Sequence, residues 1–160
     1  MHFSYYPKDI NFPGGLFYIQ NEHSLYYQPF CRVVGVVILC GAYTGLDTIC
    51  ETGEIVHISG LNSQNSWIKK KMSFPKAIRG RLCVHFDEPP VEGTGISYDR
   101  TWETFYDADQ QCICIGDYQT NESDDCVEFA NNIIAVLRGG DLIAIWAKIK
   151  EVETAKAIEG

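Results

Sequence analysis

The fold is decided at residues 123–138, which read SDDCVEFANNIIAVLR. Acidic residues crowd the start of this segment and Arg138 lies at its end, which suits the dipole of a helix. Gly139-Gly140 then supplies a stop signal. Apolar residues recur at positions i, i+4, i+7 and i+11, which are Cys126, Ala130, Ile133 and Leu137. The pattern predicts a long amphipathic helix.

Strand patterns surround this segment. Residues 31–43 are almost continuously apolar, which is typical of a central strand covered on both faces. Residues 78–87 alternate apolar and polar side chains, as a half-buried antiparallel strand does. Further strands are expected at residues 16–20 and 142–149, with hairpin turns at Thr52-Gly53 and at residues 107–110. We therefore expect an α+β protein, with a mainly antiparallel sheet and one long amphipathic helix near the C-terminus packed on it.

The length and composition predict a single globular domain over residues 1–160, irregular at 1–15 and frayed at 150–160. Hydrophobic residues make up 46% of the chain, which is enough for a substantial core. No apolar run is long enough to predict a transmembrane helix, and the first residues do not read as a secretory signal. We expect a cytoplasmic protein.

Acidic residues are concentrated in the middle of the chain. Twelve of the 21 fall between Asp87 and Glu128, with Arg100 as the single basic residue, so this acidic stretch has a net charge of −11. Crowded like charges destabilise a compact state, and a basic partner would offset that cost. The plain alternative is a surface that only aids solubility.

Aromatic residues are interleaved with these acids. Aromatic anchors within a charged rim are common in tight protein interfaces. The sequence therefore predicts a partner-binding surface within the acidic stretch. Its candidate residues are Asp99, Trp102, Glu103, Tyr106, Asp107, Asp109, Asp117, Glu122, Asp124 and Asp125.

A basic cluster precedes the acidic stretch and consists of Lys69-Lys70-Lys71, Lys76, Arg79 and Arg81. It could contact nucleic acid, or it could be a solvated face or pair with the acids within the fold. The net charge of −8 favours the second interpretation. The same charge makes nucleic acid and anionic membranes unsuitable partners.

Motifs for metal binding and catalysis are weak. Asp107 and Asp109 resemble the start of a calcium loop, but the sixth and twelfth positions are Cys112 and Tyr118. Cys112 and Cys114 share one face of a strand and are expected in the core. No nucleophile motif surrounds Cys83 and His85. We expect no metal, no cofactor and no catalytic residue.

The seven cysteines are odd in number and include no C-x-x-C pair. Without a secretory signal, this pattern predicts free thiols in a reducing compartment.

In size, charge, aromatic acidic middle and an expected late helix followed by Leu142-Ile143-Ala144-Ile145-Trp146-Ala147, the chain resembles the immunity proteins of bacterial polymorphic toxins, including those of contact-dependent growth inhibition. The resemblance implies an antitoxin that binds a cognate, basic toxin domain and blocks its active site. Oriented carboxylates would steer that association.

The alternative is a small cytosolic enzyme or ligand-binding protein. Its pocket would be built from Cys83, His85, Trp102 and Tyr106. A deep cavity with converging polar groups would favour this class, whereas an exposed acidic face would favour the immunity protein.

Overall fold

The computed structural model describes residues 1–31, 35–41 and 43–159. These residues form fourteen strands, one short helix and two 3₁₀ turns, at Gln20–Glu22 and Gln64–Ser66. The strands are β1 His2–Pro7, β2 Gly15–Ile19, β3 Ser24–Gln28, β4 Gly35–Leu39, β5 Thr44–Ile49, β6 Glu54–Leu61, β7 Ile68–Lys69, β8 Ile78–His85, β9 Gly95–Ser97, β10 Thr104–Asp107, β11 Cys112–Gly116, β12 Asp125–Ala130, β13 Ile133–Arg138 and β14 Asp141–Val152, and the helix is α1 Lys156–Glu159.

The strand pairings close on themselves. In the order β8, β12, β13, β14, β2, β3 and β6, each strand pairs with the next, and β6 pairs again with β8. The sheet is mixed, because β8–β12, β14–β2, β4–β9 and β7–β10 are parallel pairs. The prediction of an α+β fold is therefore wrong, since the described chain is nearly all β.

The predicted helix at residues 123–138 is a hairpin of β12 and β13. In a nearly continuous apolar run, helical spacing and a strand buried on both faces cannot be told apart. Valine, isoleucine and phenylalanine in this run favour strands. Asn131-Asn132 forms the turn, with Asn132 at φ 56°, a conformation that asparagine tolerates better than most residues.

Gly139-Gly140, predicted to end a helix, connects β13 to β14. The two glycines have φ values of 60° and 87°, and they lie between the paired residues Arg138 and Asp141. Positive φ at both central positions is the requirement of the tight turn that suits a twisted hairpin. The glycine pair therefore closes a second hairpin directly after the first.

Several other boundaries differ from the expectation. Residues 1–15 are not irregular throughout, because β1 pairs along its length with β8. The run at 31–43 contributes β4, which pairs with β5 and with the three-residue β9 and so lies near an edge, not at the centre. Residues 32–34 and 42 of that run lie outside the described residues. At the C-terminal end, β14 continues to Val152, where fraying was expected.

Three predicted features are confirmed. The Thr52-Gly53 turn joins β5 to β6, and Gly53 has φ 73°. The hairpin at residues 107–110 joins β10 to β11. Strand β8 covers most of 78–87, with Leu82 and Val84 buried.

Strands β11, β13 and β14 are buried on both faces. Their inner face joins the main core, which includes Ile113, Ile115, Ile133 and Ile145. Their outer face forms a second core around Trp146, covered by Met72 and Phe74. A bulge opposite Val136 and Leu137 places both Ile143 and Ala144 on the outer face.

The helices among the described residues lack the length and apolar character that crossing a membrane requires.

Candidate partner-binding surface

At one end of the sheet, the ends of several strands that carry acidic residues lie close together. Asp117 follows the end of β11, Asp125 begins β12 and Asp141 begins β14. Register pairs connect these ends, since Asp125 lies opposite Leu137 and Arg138 lies opposite Asp141. The backbone N–H of Asp117 donates to the carbonyl of Ile143 at 3.0 Å. We call Asp117, Asp124, Asp125 and Asp141 the acidic edge.

The segment before β10 joins this edge. The N–H of Gly116 donates to the carbonyl of Glu103 at 2.9 Å, so Glu103 lies beside Asp117. Arg100 approaches Asp141 at 3.7 Å. Asp99 and Glu103 are exposed, as are Asp117 and Asp125. Four exposed predicted residues thus come together at one end of the sheet with Asp124, whose side chain is buried, and the acidic edge from here on includes Asp99 and Glu103.

Tyr106, Asp107 and Asp109 lie elsewhere. They occupy the far end of the β10–β11 hairpin, where Asp107 pairs with Cys112. At ~3.3 Å per residue, the four steps from Glu103 to Asp107 span roughly 13 Å. The predicted set is therefore divided between the two ends of this hairpin, and the far end adjoins Lys69-Lys70-Lys71.

Asp107 is a structural residue and offers no surface to a partner. It is 4% exposed, and its carboxylate accepts the N–H groups of Met72 at 2.8 Å, Asp109 at 3.0 Å and Gln110 at 3.3 Å. These donors, Met72 first, hold its pKa below the usual range. Its carboxylate fixes the hairpin tip to the segment that covers the second core, so reversing its charge would disturb the fold.

Asp124 is also committed to the fold. Its Oδ1 accepts Arg138 Nε at 2.8 Å and its Oδ2 accepts Arg138 Nη2 at 2.9 Å. Oδ2 also accepts the N–H of Asn121 at 2.7 Å. The side chain is 0% exposed, and the Arg138 guanidinium holds the pKa of Asp124 below its usual range. This two-point pair closes the loop that precedes β12.

The two predicted aromatics are in different environments. Tyr106 donates its hydroxyl to Glu151 at 3.0 Å, and burial, followed by that carboxylate, raises its pKa to about 12. Trp102 is half-buried and donates its indole N–H to the carbonyl of Tyr98 at 2.8 Å. Trp102 borders an open groove, whereas Tyr106 packs against Trp67 within the fold.

The groove beside Trp102 has a volume of about 340 Å³, and polar side chains such as Asn62 and Thr104 line it together with large apolar ones. Tyr43 is 68% exposed there, Leu61 49% and Ile68 41%. Large apolar side chains gathered at one exposed place mark interaction sites, unlike single scattered ones. Glu103 also borders the groove, which connects it to the acidic edge.

Asn62 fixes the shape of the groove from within. Its side-chain NH₂ donates to the hydroxyl of Thr44 at 3.1 Å and to that of Thr104 at 3.0 Å. Its side-chain carbonyl accepts the indole N–H of Trp67 at 2.6 Å. This network joins β5, β10 and the loop after β6, so the walls of the groove are held before any partner arrives.

Sequence reasoning missed Tyr43, Leu61 and Ile68. Each is apolar and lies at or next to a strand end, which reads as ordinary core in one sequence. Ile68 could have been recognised as an exposed apolar residue, because it precedes three lysines in a polar segment. Only the three-dimensional arrangement brings the three residues to one groove.

The basic cluster complements the acids in part. Arg79 pairs with Glu128 of the acidic stretch, and Arg81 pairs with Glu54. Other ion pairs join the N-terminus to Asp87, Arg100 to Asp141, and Arg138 to Asp117 and Asp124. Lys70 instead lies 4.5 Å from the ring centre of Tyr118. Lys69, Lys70 and Lys71 are exposed and form a solvated face.

The pocket of the alternative enzyme hypothesis is not assembled. Cys83 lies opposite Ser4 on β8, and His85 stacks on His2 at 4.6 Å. Trp102 borders the groove and Tyr106 borders the lysine face. Among the described residues, no group of three or more His, Cys, Asp or Glu side chains is arranged to hold a metal ion.

Comparison with protein-family models gives no match for this chain, and comparison with curated proteins gives none either. The resemblance to immunity proteins therefore stays a prediction from the sequence.

Proposed function

We propose that this protein is an immunity protein that binds and neutralises a cognate basic toxin domain. The observation that supports this proposal is the exposed apolar side chains of Tyr43, Leu61 and Ile68 at one groove, which is bordered by Trp102 and Glu103 and continuous with the acidic edge. Exposed carboxylates at this edge outnumber the two arginines that pair with them, Arg100 and Arg138. Exposed apolar side chains beside a net negative charge suit a protein partner of opposite charge. The compartment would be the cytoplasm, and neither nucleic acid nor a membrane would be a partner.

The two parts of this surface have different roles. Apolar side chains that leave water on binding supply most of the affinity, and truncating one at the centre of an interface typically costs more than ~1 kcal/mol. Exposed carboxylates contribute little individually but accelerate association together, and salt weakens this effect. Changes in the groove should therefore raise the dissociation rate, and changes at the acidic edge should lower the association rate.

The first experiment identifies the partner and tests neutralisation. The tagged chain is used to recover binding proteins from the source organism, and each recovered protein is expressed with and without this chain. We expect one to be a basic domain that arrests growth alone and fails to do so when the chain is present. Failure of every recovered protein to arrest growth would contradict the immunity function.

The second experiment tests the surface with the purified partner. The triple variant Asp99→Lys, Glu103→Lys, Asp117→Lys should associate ~10-fold more slowly at low salt. Leu61→Ala and Tyr43→Ala should each dissociate ~5-fold faster or more, which corresponds to the ~1 kcal/mol expected for an interface centre. Both effects are read by surface-based binding kinetics at two salt concentrations.

Matched controls come from the same chain. Asp109→Lys reverses one carboxylate, as each of the three substitutions does, at the opposite end of the β10–β11 hairpin, and Tyr6→Ala removes another aromatic that is 59% exposed, on β1. Neither should change the kinetics by more than about twofold. If the controls and the groove variants behaved alike, the partner would bind elsewhere.

A further inference from the structure

A carboxylate and an imidazole lie side by side on the outer side of the β5–β6 hairpin, and the backbone of Cys31 contacts the imidazole. Asp47 and His57 are register partners, and Asp47 Oδ2 lies 2.8 Å from His57 Nδ1. The same oxygen accepts the hydroxyl of Ser59 at 2.8 Å. Asp47 is 8% exposed and His57 is 1% exposed. The contacts with Ser59 and His57 fix the position of the Asp47 carboxylate, and the carboxylate in turn orients the His57 ring.

The other imidazole nitrogen points to Cys31. The backbone N–H of Cys31 donates to His57 Nε2 at 3.3 Å. An acceptor role requires Nε2 to have no proton, so the proton of the neutral ring lies on Nδ1, facing Asp47. This is the arrangement of a general base whose tautomer is set by a carboxylate.

Cys31 differs from the other cysteines. Among the seven, all of which lie in described residues, Cys31 is the exposed one. Its sulfur is attached three bonds from the nitrogen that contacts His57, so rotation about χ1 decides whether the thiol faces the ring or solvent. At 3.3 Å the amide contact is longer than most N–H hydrogen bonds, and the chemistry proposed below requires the thiol to approach Nε2 in its place.

A cavity of about 270 Å³ lies next to this pair. Its walls are apolar and aromatic, and they include Phe12, Pro13, Tyr27, Phe30 and Phe129. Tyr27 stacks on His57 at 5.5 Å, and its hydroxyl donates to the carbonyl of Pro13 at 2.6 Å, which fixes one wall. The volume is below that of most drug-sized sites and suits a short acyl chain or one aromatic ring.

We propose that Cys31, His57 and Asp47 form an acyl-transfer site for short apolar thioesters or aryl esters. The thiol proton moves to His57 Nε2 as the sulfur attacks the carbonyl carbon, and a carbon–sulfur bond forms. The bond to the leaving thiol or phenol breaks, and that group takes the proton from His57. Water then attacks the acyl carbon and gives a proton to His57. The carbon–sulfur bond breaks, His57 returns the proton to the sulfur, and the carboxylic acid leaves. No electron is gained or lost overall.

Each residue has a defined task in this sequence. Cys31 is the nucleophile and His57 the general base and acid, and both touch the reacting atoms. Asp47 is a positioning residue that acts through His57, because it orients the ring and stabilises its positive charge after proton transfer. The site uses residues outside the partner-binding surface, so either proposal can fail without the other.

The test uses the full chain and p-nitrophenyl butyrate, an activated aryl ester with a short acyl chain. We expect release of p-nitrophenolate, one added butyryl group in the intact mass, and that group on the peptide that contains Cys31. Cys31→Ala should abolish all three. His57→Gln should lower the acylation rate ~100-fold, which is the smaller end of the effect of a general base.

Controls separate this chemistry from general thiol reactivity. Cys50→Ala and Cys126→Ala remove half-buried thiols and should leave the rate unchanged. Asp47→Asn should change the pH profile of acylation, whereas a purely structural role would lower the rate by one factor at every pH. Circular dichroism verifies the fold of each variant. Cys31→Ala replaces an exposed residue and therefore leaves the core unchanged.

The result that would overturn the proposal is specific. Butyryl groups distributed over several cysteines or lysines would overturn it, and so would a folded His57→Gln protein that reacts at the wild-type rate. Absence of any acylation of wild-type Cys31 would overturn it as well.

Discussion

Removing one carboxylate charge at residue 124 should destabilise the protein, while the same change at residue 122 should not. Asp124→Asn keeps the shape of the side chain but loses the charge that binds Arg138 through two contacts of 2.8 and 2.9 Å. Hydrogen bonds to charged groups contribute about 1.5–3 kcal/mol. Arg138 is 37% exposed, so part of the pair is screened and we expect a loss of about 2 kcal/mol.

Thermal unfolding followed by circular dichroism measures this loss. For a chain of this length, 1 kcal/mol shifts Tm by about 2–4 °C, so Asp124→Asn should lower Tm by roughly 4–8 °C at pH 7. Glu122→Gln, at an exposed position two residues earlier, should change Tm by less than about 2 °C. Equal shifts for the two variants would refute the assignment of Asp124 to the fold.

The pH dependence provides a second measurement. The pKa of Asp124 is lowered by Arg138, so its contribution is complete above the unfolded value of about 3.9 and disappears as the pH falls through the lower folded value. The difference in Tm between the wild type and Asp124→Asn should therefore be constant near neutral pH and shrink below about pH 4. A difference that persisted unchanged into strong acid would show that charge is not its cause.

Two further predictions test the fold and the thiols. Asn132→Ala should destabilise the protein by about 1 kcal/mol in urea unfolding, because Asn132 has φ 56°, which alanine tolerates less well. In a helix the same substitution would stabilise the protein. The sign of the change in unfolding free energy therefore decides between a hairpin and a helix. Thiol titration should find seven free thiols after denaturation and, in the native protein, a fast reaction at Cys31 followed by Cys50 and Cys126. Cys40 and Cys112 should react slowly, because burial raises the pKa of Cys40 to about 12 and that of Cys112 to about 11. Fewer than seven thiols, or a fast reaction of Cys40, would contradict this prediction.

Local turn chemistry made part of the fold predictable from the sequence. Thr52-Gly53 and residues 107–110 were recognised as hairpins because their turn residues interrupt clear strand patterns. The β12–β13 hairpin was not recognised, because both faces of β13 are buried and its side chains lose the alternation that identifies a strand. Asn131-Asn132 is the turn of this hairpin, but the apolar spacing around it favours a helix in one sequence.

The candidate site was predictable in charge but not in arrangement. A count of acids identifies a region, yet it cannot separate carboxylates that the fold uses from those it leaves exposed. Asp107 and Asp124 are held by backbone and guanidinium donors from Met72 and Arg138, which lie 35 and 14 residues away along the chain. The partners of His57 also come from separate segments, so no local motif joins Cys31 to Asp47.

The charge available to a partner is consequently smaller and more localised than the sequence suggests. Glu128 pairs with Arg79 at 3.1 Å, and Asp107 and Asp124 are already bonded within the fold. What remains exposed is Glu103 at the groove and Asp99, Asp117 and Asp125 at the same end of the sheet, and Asp141 joins them from outside the acidic stretch. Asp117 and Asp141 are exposed but lie 3.9 Å from Arg138 and 3.7 Å from Arg100. Because exposed charges act over about one Debye length, roughly 8 Å at physiological salt, only acids close to the groove can steer a partner to it. Steering should therefore depend on this edge and not on the total charge of −8.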